Sequence, residues 1–463
     1  MESPHPTSES TNFKRITVVL IAVGVTSLVL FRVGLRAEGT KDILWFLKLV
    51  ACQAALYFVA SWLILRARPA RSLLLIVILF AVLFRLSVLF SPPYLSDDVY
   101  RYVWDGRVQA AGINPYRYIP ADQSLAQLRD ARIYPKINRR DYAHTIYPPI
   151  AEAIYFLTTR ISESLTWMKA TILGFEAIAI WAIAQLLAAF GLSRQRVLIY
   201  AWHPLVVWEF AGSGHVDALA IAFITLALLA RRSNAETLVG ITLACATLVK
   251  LFPLVLLPAL YSRWSWKMPL AFAITVMAVY LPYLSVGPVA VLGFLPGYVT
   301  EQGLASGEQF YILSVARRLL HSASIPNAAF LIFALITVIG VAAWSVFKEK
   351  RKAGSYISQA CVLATLVIVL FAPHFSWYFA WLVPYLSFVP LASLFYLTAA
   401  SFVLYGTWLG DKPAQMLWLN TAIYLPFALL AALELLARRL HFRWSGQRLE
   451  EASAQTAEST DCS

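Results

Sequence analysis

The densest group of reactive side chains lies between residues 91 and 118, which read SPPYLSDDVYRYVWDGRVQAAGINPYRY. Two adjacent acids, Asp97 and Asp98, follow a serine suited to cap a helix, and Gly112 with the Asn-Pro pair after it is suited to end one. A carboxylate next to apolar surroundings holds its proton more tightly, which suits a general base. The segment predicts a short interfacial helix with a candidate base at its start.

The same helix carries further polar groups along one side. Spacings of three and four residues place Asp98, Arg101, Tyr102 and Asp105 on a single stripe, with an apolar stripe opposite. Two acids at a helix start with an arginine nearby are often only a cap and an ion pair. A functional role is favoured here because a nearby arginine keeps an acid ionised, and acids are scarce elsewhere on the predicted outer face.

Further stretches place single polar residues within apolar sequence. Tyr147 precedes two prolines that begin a helix, and His215 and Asp217 stand at another helix start. Lys250 lies in the apolar run LVKLFPLVLLP, where an ammonium group is costly and suits a phosphate. His374 precedes several aromatic residues, which an aromatic belt at a membrane surface explains equally well.

An amphipathic stretch at residues 301–320 holds the adjacent pair Arg317 and Arg318. Adjacent arginines commonly form a solvated face. Their guanidinium groups also suit a lipid phosphate, so both interpretations stay open.

The elements that hold these residues must be membrane helices. Of the 463 residues, 60% are hydrophobic and 14% are charged, and the mean hydropathy is +0.67. Soluble domains do not bury so much apolar surface, and many apolar windows approach the roughly 20 residues that cross a bilayer. The sequence predicts an all-α polytopic membrane protein with about 11–14 transmembrane helices. The net charge of +13 reflects basic loops between spans, and not nucleic-acid binding.

The basic loops also give an orientation, because cytoplasmic loops collect lysine and arginine. Both termini are predicted to lie in the cytoplasm, with disordered tails at 1–15 and 441–463 and a transmembrane domain at 16–440. Large external loops are then expected at 91–148 and 288–327. The stretch from 147 to 162 either crosses the membrane or lies at its surface, and the positions of the basic loops favour the surface.

Motifs for a cofactor or a nucleotide are absent from the sequence. The four cysteines lack zinc-site spacing, and no phosphate-binding glycine loop occurs. A donor substrate is therefore expected to arrive through the membrane. Catalysis is expected to need no cofactor, with a divalent metal ion optional.

These features resemble the GT-C superfamily of membrane glycosyltransferases, which take a sugar from a polyprenyl phosphate. The nearest resemblance is to the polyprenol-phosphate-mannose-dependent mannosyltransferases of mycobacteria and to the catalytic subunit of GPI mannosyltransferase I. It covers most of residues 72–436. Besides the acidic loop, the motifs that carry it lie at 147–149, 212–217, 250–253 and 374–378.

The resemblance implies a GT-C-like helical bundle in which an acid of the first large external loop is catalytic, here Asp97 or Asp98. Two spans precede the helix that leads to this loop, where the basic core of the superfamily begins with one. Asp-Asp also replaces the spaced Asp-x-Asp of some members. Which aspartate is the base, and whether a metal takes part, stay open.

The sequence therefore predicts an inverting hexosyltransferase, with mannose as the first choice of sugar, at the outer face of a bacterial inner membrane. Its expected partners are a polyprenyl-phosphate sugar donor, a lipid or glycan acceptor and the membrane, with no nucleic acid. Lys250, Arg101 or Arg317 with Arg318 are expected to offset the charge of the departing phosphate. Competing hypotheses are a lipid or solute transporter and a ligase that moves a whole lipid-linked glycan.

Overall fold

The computed structural model describes residues 8–36, 42–304, 306–307, 310–321, 325–348, 354–409 and 415–437, and all regular secondary structure in these residues is helical. In chain order, the helices of nine or more residues are α1 (Ser8–Gly34), α2 (Ile43–Arg66), α3 (Arg71–Leu89), α4 (Asp98–Ala110), α5 (Pro149–Thr159), α6 (Leu165–Ala189), α7 (Asp217–Arg232), α8 (Glu236–Thr247), α9 (Lys267–Tyr280), α10 (Tyr311–Leu319), α11 (Asn327–Phe347), α12 (Ser355–Phe371), α13 (Ala392–Ala400) and α14 (Gln415–Ala437). A nine-residue 3₁₀ helix, Ser401–Leu409, continues α13. Shorter helical segments lie at Gln123–Leu128, Tyr134–Lys136, Arg194–Val197, Leu198–Ala201, Pro204–Val206, Val207–Ser213, Phe252–Leu256, Leu257–Leu260, Leu281–Val286, Ala290–Leu292, Leu295–Glu301, Ser376–Leu382 and Val383–Leu386.

Eight helices of the described residues are long and apolar enough to cross a membrane: α1, α2, α3, α6, α9, α11, α13 and α14, with α9 and α13 extended by the turns after them. Many apolar side chains on these helices stay exposed in the protein alone, as Leu270 and Met277 do on α9. Such surface is stable only against lipid or another apolar partner. The prediction of an all-α polytopic membrane protein is confirmed.

Other predicted spans form shorter or broken helices in the described residues. The sequence is apolar from 237 to 260, but α8 ends at Thr247 and the chain resumes at Phe252 in short helical segments, with Pro253 in the first turn. Helices α7 and α12 have 16 and 17 residues, below the roughly 20 of a typical crossing. The described residues thus contain eight candidate spans, fewer than the predicted 11–14, because several of the apolar runs form helices too short for a typical crossing.

Helix α5 occupies most of the stretch that could either cross the membrane or lie at its surface. Its 11 residues rise about 16 Å, roughly half of a hydrocarbon core of about 30 Å. Proline begins the helix, and the free N–H groups of Ile150 and Ala151 donate to the carbonyl of Leu248, at 3.0 and 3.3 Å. These bonds fix α5 against the break that follows α8.

Helix α4 begins at Asp98, as the sequence predicts, but both of its sides are buried. Tyr102, Trp104 and Asp105 are each at most 1% exposed because α4 packs on α5 and α6. Gly106 makes the close approach to α5 possible, since a Cβ there would stand 2.5 Å from the carbonyl oxygen of Tyr155. The predicted polar stripe therefore faces protein and not an open surface.

The predicted tails fall mostly outside the described residues, which exclude 1–7 and 438–463. At the N-terminal end, α1 begins at Ser8, earlier than the apolar run from Ile16 indicates.

Candidate active site

A cavity of about 640 Å³ opens where α4 begins, beside the break after α8. Its wall combines carboxylates, cations and aromatic rings. The lining residues are Pro93, Tyr94, Leu95, Ser96, Asp97, Asp98, Asn138, Arg139, Tyr142, Ile146, Tyr147, Pro148, Lys250, Leu251, Phe252, Leu295, Tyr298, Glu301, Phe375, Trp377, Tyr378 and Trp408.

The two aspartates of the acidic loop stand together on this wall. The amide nitrogen of Asn138 donates to Oδ1 of Asp97 at 2.8 Å and to Oδ1 of Asp98 at 2.7 Å. Asp97 is the N-cap residue of α4, and the hydroxyl of Ser96 just before it accepts from the backbone N–H of Asp98 at 3.2 Å. One amide thus holds two negative groups close together at a helix N-terminus, where the helix dipole favours them.

Asp97 is exposed, and its side chain lies on the cavity wall among other protein atoms. Burial among the surrounding atoms, with the neighbouring charge of Asp98, raises the pKa of Asp97, against the lowering effect of the Asn138 hydrogen bond. The carboxyl of Asp97 therefore holds a proton more tightly than a carboxyl in open water does.

Lys250 reaches the cavity from the break after α8. Its Nζ donates to both carboxylate oxygens of Asp217, each at 2.8 Å, and lies 4.4 Å from the ring centroid of Tyr378. Asp217 is fully buried and also accepts from the indole N–H of Trp381 at 2.6 Å. The sequence separates these partners by 33 residues, and the structure brings them together as an ammonium group held at the cavity wall.

A second cation, Arg139, lines the cavity. It forms a bidentate ion pair with Glu301, with Nε to Oε1 and Oε2 distances of 2.8 and 2.9 Å. Arg139 has φ of 52°, a left-handed conformation that is uncommon for a residue other than glycine. Local sequence gives no signal for Asn138, Arg139 or Glu301, because their partners lie between 40 and 162 residues away along the chain.

Aromatic rings form another part of the wall. Trp377 stacks on Phe375 with ring centroids 4.4 Å apart, and the hydroxyls of Tyr298 and Tyr378 lie 2.9 Å apart. Small-molecule sites are commonly lined by aromatic and apolar side chains with a few polar groups among them, as this wall is. The motif at 374–378 therefore contributes its aromatic residues to the cavity.

Arg101 and Asp105 lie behind the cavity and not on its wall. Nε of Arg101 donates to both oxygens of Asp105 at 2.8 and 2.9 Å, and its Nη1 donates to the carbonyl of Ala143 at 3.2 Å. Each residue is at most 4% exposed. Since its charge is already paired inside the protein, Arg101 is not placed to offset the charge of a phosphate in this cavity.

A buried carboxyl adjoins this pair. Glu152 accepts from the hydroxyl of Thr145 at 2.7 Å and from the amide of Gln109 at 2.9 Å. Burial, with the nearby charge of Asp105, raises the pKa of Glu152 well above its ordinary value, and burial also raises the pKa of Asp105. Two carboxylates this close repel each other, so the state in which one of the two acids keeps its proton is favoured.

The two predicted tyrosines pack against each other. The rings of Tyr102 and Tyr147 meet edge to face at 5.0 Å, and Tyr102 stacks on Tyr155 at 4.6 Å. The hydroxyl of Tyr102 accepts from the backbone N–H of Val216 at 3.4 Å, which connects α4 to the turn before α7. Only Tyr147 reaches the cavity.

The structure places His215, His374 and the two arginines away from the cavity wall. His215 is 1% exposed and lies behind Asp98, with Nδ1 of the imidazole 3.8 Å from Oδ2 of Asp98. His374 is half-buried outside the lining, and burial lowers its pKa. Arg317 donates to the carbonyl of Ile325 and Arg318 is exposed, because α10 lies beside α12 and apart from the acidic loop. The structure therefore does not bring the arginine pair near Asp97 and Asp98.

The described residues contain no group of three or more His, Cys, Asp or Glu side chains arranged to hold a metal ion. On the cavity wall, the Asn138 amide binds Asp97 and Asp98, and Arg139 pairs with Glu301. Lys250 pairs with Asp217, which is buried and not part of the wall.

Comparison with known families decides the class of the protein. The model of the MptA_B family, described as alpha-(1->6)-mannopyranosyltransferase, N-terminal domain, matches residues 15–267, which is more than half of the chain. The chain belongs to this family. No curated protein matches it.

Family membership supports a mannosyltransferase activity, and with the eight apolar helices it indicates an integral membrane enzyme that transfers sugar. The matched residues contain the acidic pair, Tyr147, Asp217 and Lys250. The cavity wall from Leu295 to Trp408 comes from the part of the chain beyond the match.

Proposed function

We propose that this mannosyltransferase is a GT-C-type enzyme that moves mannose from a polyprenyl-phosphate donor to a hydroxyl of a lipid or glycan acceptor. One observation carries the proposal: a single cavity presents the carboxylates of Asp97 and Asp98, the ammonium group of Lys250 and apolar side chains such as Leu251 and Trp408. A donor with a phosphate between a sugar and a lipid needs a cation beside the phosphate, polar groups beside the sugar and apolar side chains along the lipid. All three lie on this wall.

In the proposed reaction, an aspartate takes the proton of the acceptor hydroxyl as that oxygen bonds to the anomeric carbon of mannose. The bond from that carbon to the phosphate oxygen breaks, and its electron pair leaves with the lipid phosphate. A single displacement inverts the anomeric carbon. The family description names an alpha-(1->6) product, so this route requires a β-linked donor.

Positive charge near the departing phosphate stabilises the transition state. Lys250 stands on the cavity wall with its Nζ held by Asp217, and Arg139 stands there with its guanidinium held by Glu301. Both cations are therefore oriented before a substrate arrives, which lowers the cost of rearrangement during reaction. No proposed step requires a metal ion or another cofactor.

The proposal includes the arrangement in the membrane that the basic loops favour. Residues 91–148 and 288–327 face the outer side of a bacterial inner membrane, and both termini face the cytoplasm. The cavity then meets the outer leaflet, where a lipid-linked sugar and an acceptor both have access.

The test is transfer by the purified protein in lipid nanodiscs, with radiolabelled polyprenyl-phosphate mannose and a membrane lipid extract. We expect a labelled mannoside from the wild type. Asp97→Asn and Asp98→Asn are then compared. The variant in which the base is replaced should show a kcat lower by about 100-fold or more. Asp141→Asn is the matched control, since this exposed acid of the same loop lies outside the cavity.

Unchanged transfer by both single variants and by the double variant would contradict the assignment of the base. Movement of the lipid between leaflets without a new glycosidic bond would favour a transporter instead. Transfer of a larger lipid-linked glycan in preference to a single sugar would favour a ligase.

A further inference from the structure

A connected set of buried polar side chains lies directly behind Asp98. His215 Nδ1 is 3.8 Å from Oδ2 of Asp98, and its Nε2 is 3.4 Å from Oε2 of Glu209. Oε1 of Glu209 accepts from the hydroxyl of Tyr405 at 2.6 Å. The series Asp98, His215, Glu209, Tyr405 thus runs from the cavity wall into the protein.

The backbone holds the imidazole in this place. The N–H of His215 donates to the carbonyl of Glu209 at 2.9 Å, across a turn that requires Gly214. Gly214 has φ of 77°, and a Cβ there would stand 2.8 Å from Cγ of Lys169. The ring stacks on Trp377 at 4.1 Å, and Trp377 itself lines the cavity.

His215 and Glu209 face each other through two atoms that make no hydrogen bond in the structure. Nε2 of His215 and Oε2 of Glu209 are buried and lack a hydrogen-bond partner in the structure, although they face each other. A buried polar group without a partner costs free energy, so its retention needs a reason. Hydrogen bonds of catalytic groups are often long without substrate and shorten when it binds.

The two aspartates differ in the polar groups that face them. Asp98 faces both Asn138 and His215, whereas among the described residues the side-chain hydrogen bond to Asp97 comes from Asn138. An acid, an imidazole and a second acid in series form the arrangement that orients proton-transfer groups in many enzymes.

We propose that His215 and Glu209 are a positioning pair for Asp98, and that Asp98 rather than Asp97 takes the proton of the acceptor hydroxyl. This inference rests on the proposed function. The imidazole donates Nδ1–H to the Asp98 carboxylate, and the protonated carboxyl of Glu209 donates to Nε2, which fixes the tautomer of the ring. Burial raises the pKa of Glu209 to about 8, which favours this protonated form. The hydroxyl of Tyr405 donates to the other oxygen of Glu209 and holds the carboxyl in place. After transfer, the proton resides on Asp98 and the electron pair of the broken bond on the lipid phosphate.

The charge state of the imidazole agrees with this role. Burial lowers the pKa of His215 to about 3, so the ring is neutral and has one N–H to donate. The other ionisable side chains that face or surround the ring are Asp98, Glu209, Asp217, Lys250, Lys169 and Tyr405.

The test compares steady-state kinetics and pH profiles of mannosyl transfer in three variants. His215→Phe keeps a ring against Trp377 but removes both nitrogens. Glu209→Gln and Tyr405→Phe keep the size of the buried side chain but remove its carboxyl or hydroxyl group. We expect His215→Phe to lower kcat by up to about 100-fold, with smaller losses in the other two, because a misplaced base loses rate before it loses binding. The KM for the donor should change by less than about threefold, since uniform binding is retained.

The acidic limb of kcat/KM should also move to higher pH in His215→Phe, because a carboxylate that loses a hydrogen-bond donor is protonated more readily. His215→Asn, which keeps an N–H donor near the position of Nδ1, should recover part of kcat and of the pH shift. His203→Phe is the matched control, since His203 is a buried histidine bound to Thr398 outside the cavity.

Three results would overturn the inference. One is a raised donor KM at unchanged kcat in His215→Phe, which would place the ring at the donor. Another is an unchanged pH profile with a loss of stability equal to that of His203→Phe. The third is full activity in Asp98→Asn with loss of activity in Asp97→Asn. Absence of mannosyl transfer by the wild type would instead reject the proposed function itself.

Discussion

Helix α4 carries two groups of carboxylates that differ in what surrounds them. At its start, Asp97 and Asp98 share one amide and face the cavity. Two turns later, Asp105 is bound by both oxygens to Arg101 and lies beside Glu152, with each of these residues at most 4% exposed. The first group has oxygens available to a substrate, whereas the second has its oxygens occupied by protein.

The surroundings of a carboxylate distinguish a catalytic role from a structural one better than its residue type does. A buried charge is tolerated when partners satisfy it, and those partners then leave no capacity for a ligand. A carboxylate on a cavity wall keeps free lone pairs and a path for protons. The two ends of one short helix therefore serve as a candidate reaction centre and as an internal support for the loop.

The largest expected effect concerns the internal support. Arg101→Met leaves the carboxylate of Asp105 buried without its cation, which should lower the free energy of unfolding by about 3–5 kcal/mol. Thermal or denaturant unfolding in detergent measures this loss. Arg107→Met is the control on the same helix, because Arg107 pairs with the more exposed acids Asp130 and Glu163 and should cost at most about 1 kcal/mol. Equal stability of the two variants would contradict the contrast.

The next effect concerns the cation at the cavity. Lys250→Met removes a charged hydrogen-bond donor from the proposed phosphate position, so the KM for the donor should rise about 10–100-fold, the equivalent of about 1.5–3 kcal/mol. Donor titration in the transfer assay measures it. Arg263→Met provides a control, since this arginine stacks beside Trp264 and does not line the cavity. An unchanged donor KM in Lys250→Met would remove the lysine from phosphate binding.

Local sequence predicted well what depends on local geometry. The start of α4, its end near Gly112 and the pairing of Arg101 with Asp105 follow from capping residues and from a spacing of four. The break near Lys250 also has a local signal, because Pro253 follows it and cannot donate a backbone hydrogen bond within a helix. What local spacing could not show is that Arg101 is buried and paired inside the protein.

Contacts between distant segments were beyond sequence reasoning. Asn138 meets the acidic pair across 40 or more residues, and Arg139 meets Glu301 across 162. Glu209 had a usable signal, since an acid within an apolar run is costly and commonly functional. The sequence places His215 only at a helix start, whereas in the structure the turn at Gly214 directs its ring behind Asp98.

The smallest effect is a pH dependence of stability that arises from the internal support. Burial raises the pKa of Glu152 well above its ordinary value, so the folded protein binds a proton there more tightly than the unfolded chain does. The stabilisation is therefore complete below the unfolded pKa and is lost as pH rises through the folded pKa. Glu152→Gln cannot ionise, so its melting temperature should fall less between pH 5 and pH 8 than that of the wild type, by on the order of a few degrees. Glu163→Gln, at an exposed acid nearby, should keep the wild-type slope, and equal slopes in wild type and Glu152→Gln would show that Glu152 does not bind its proton more tightly in the folded state.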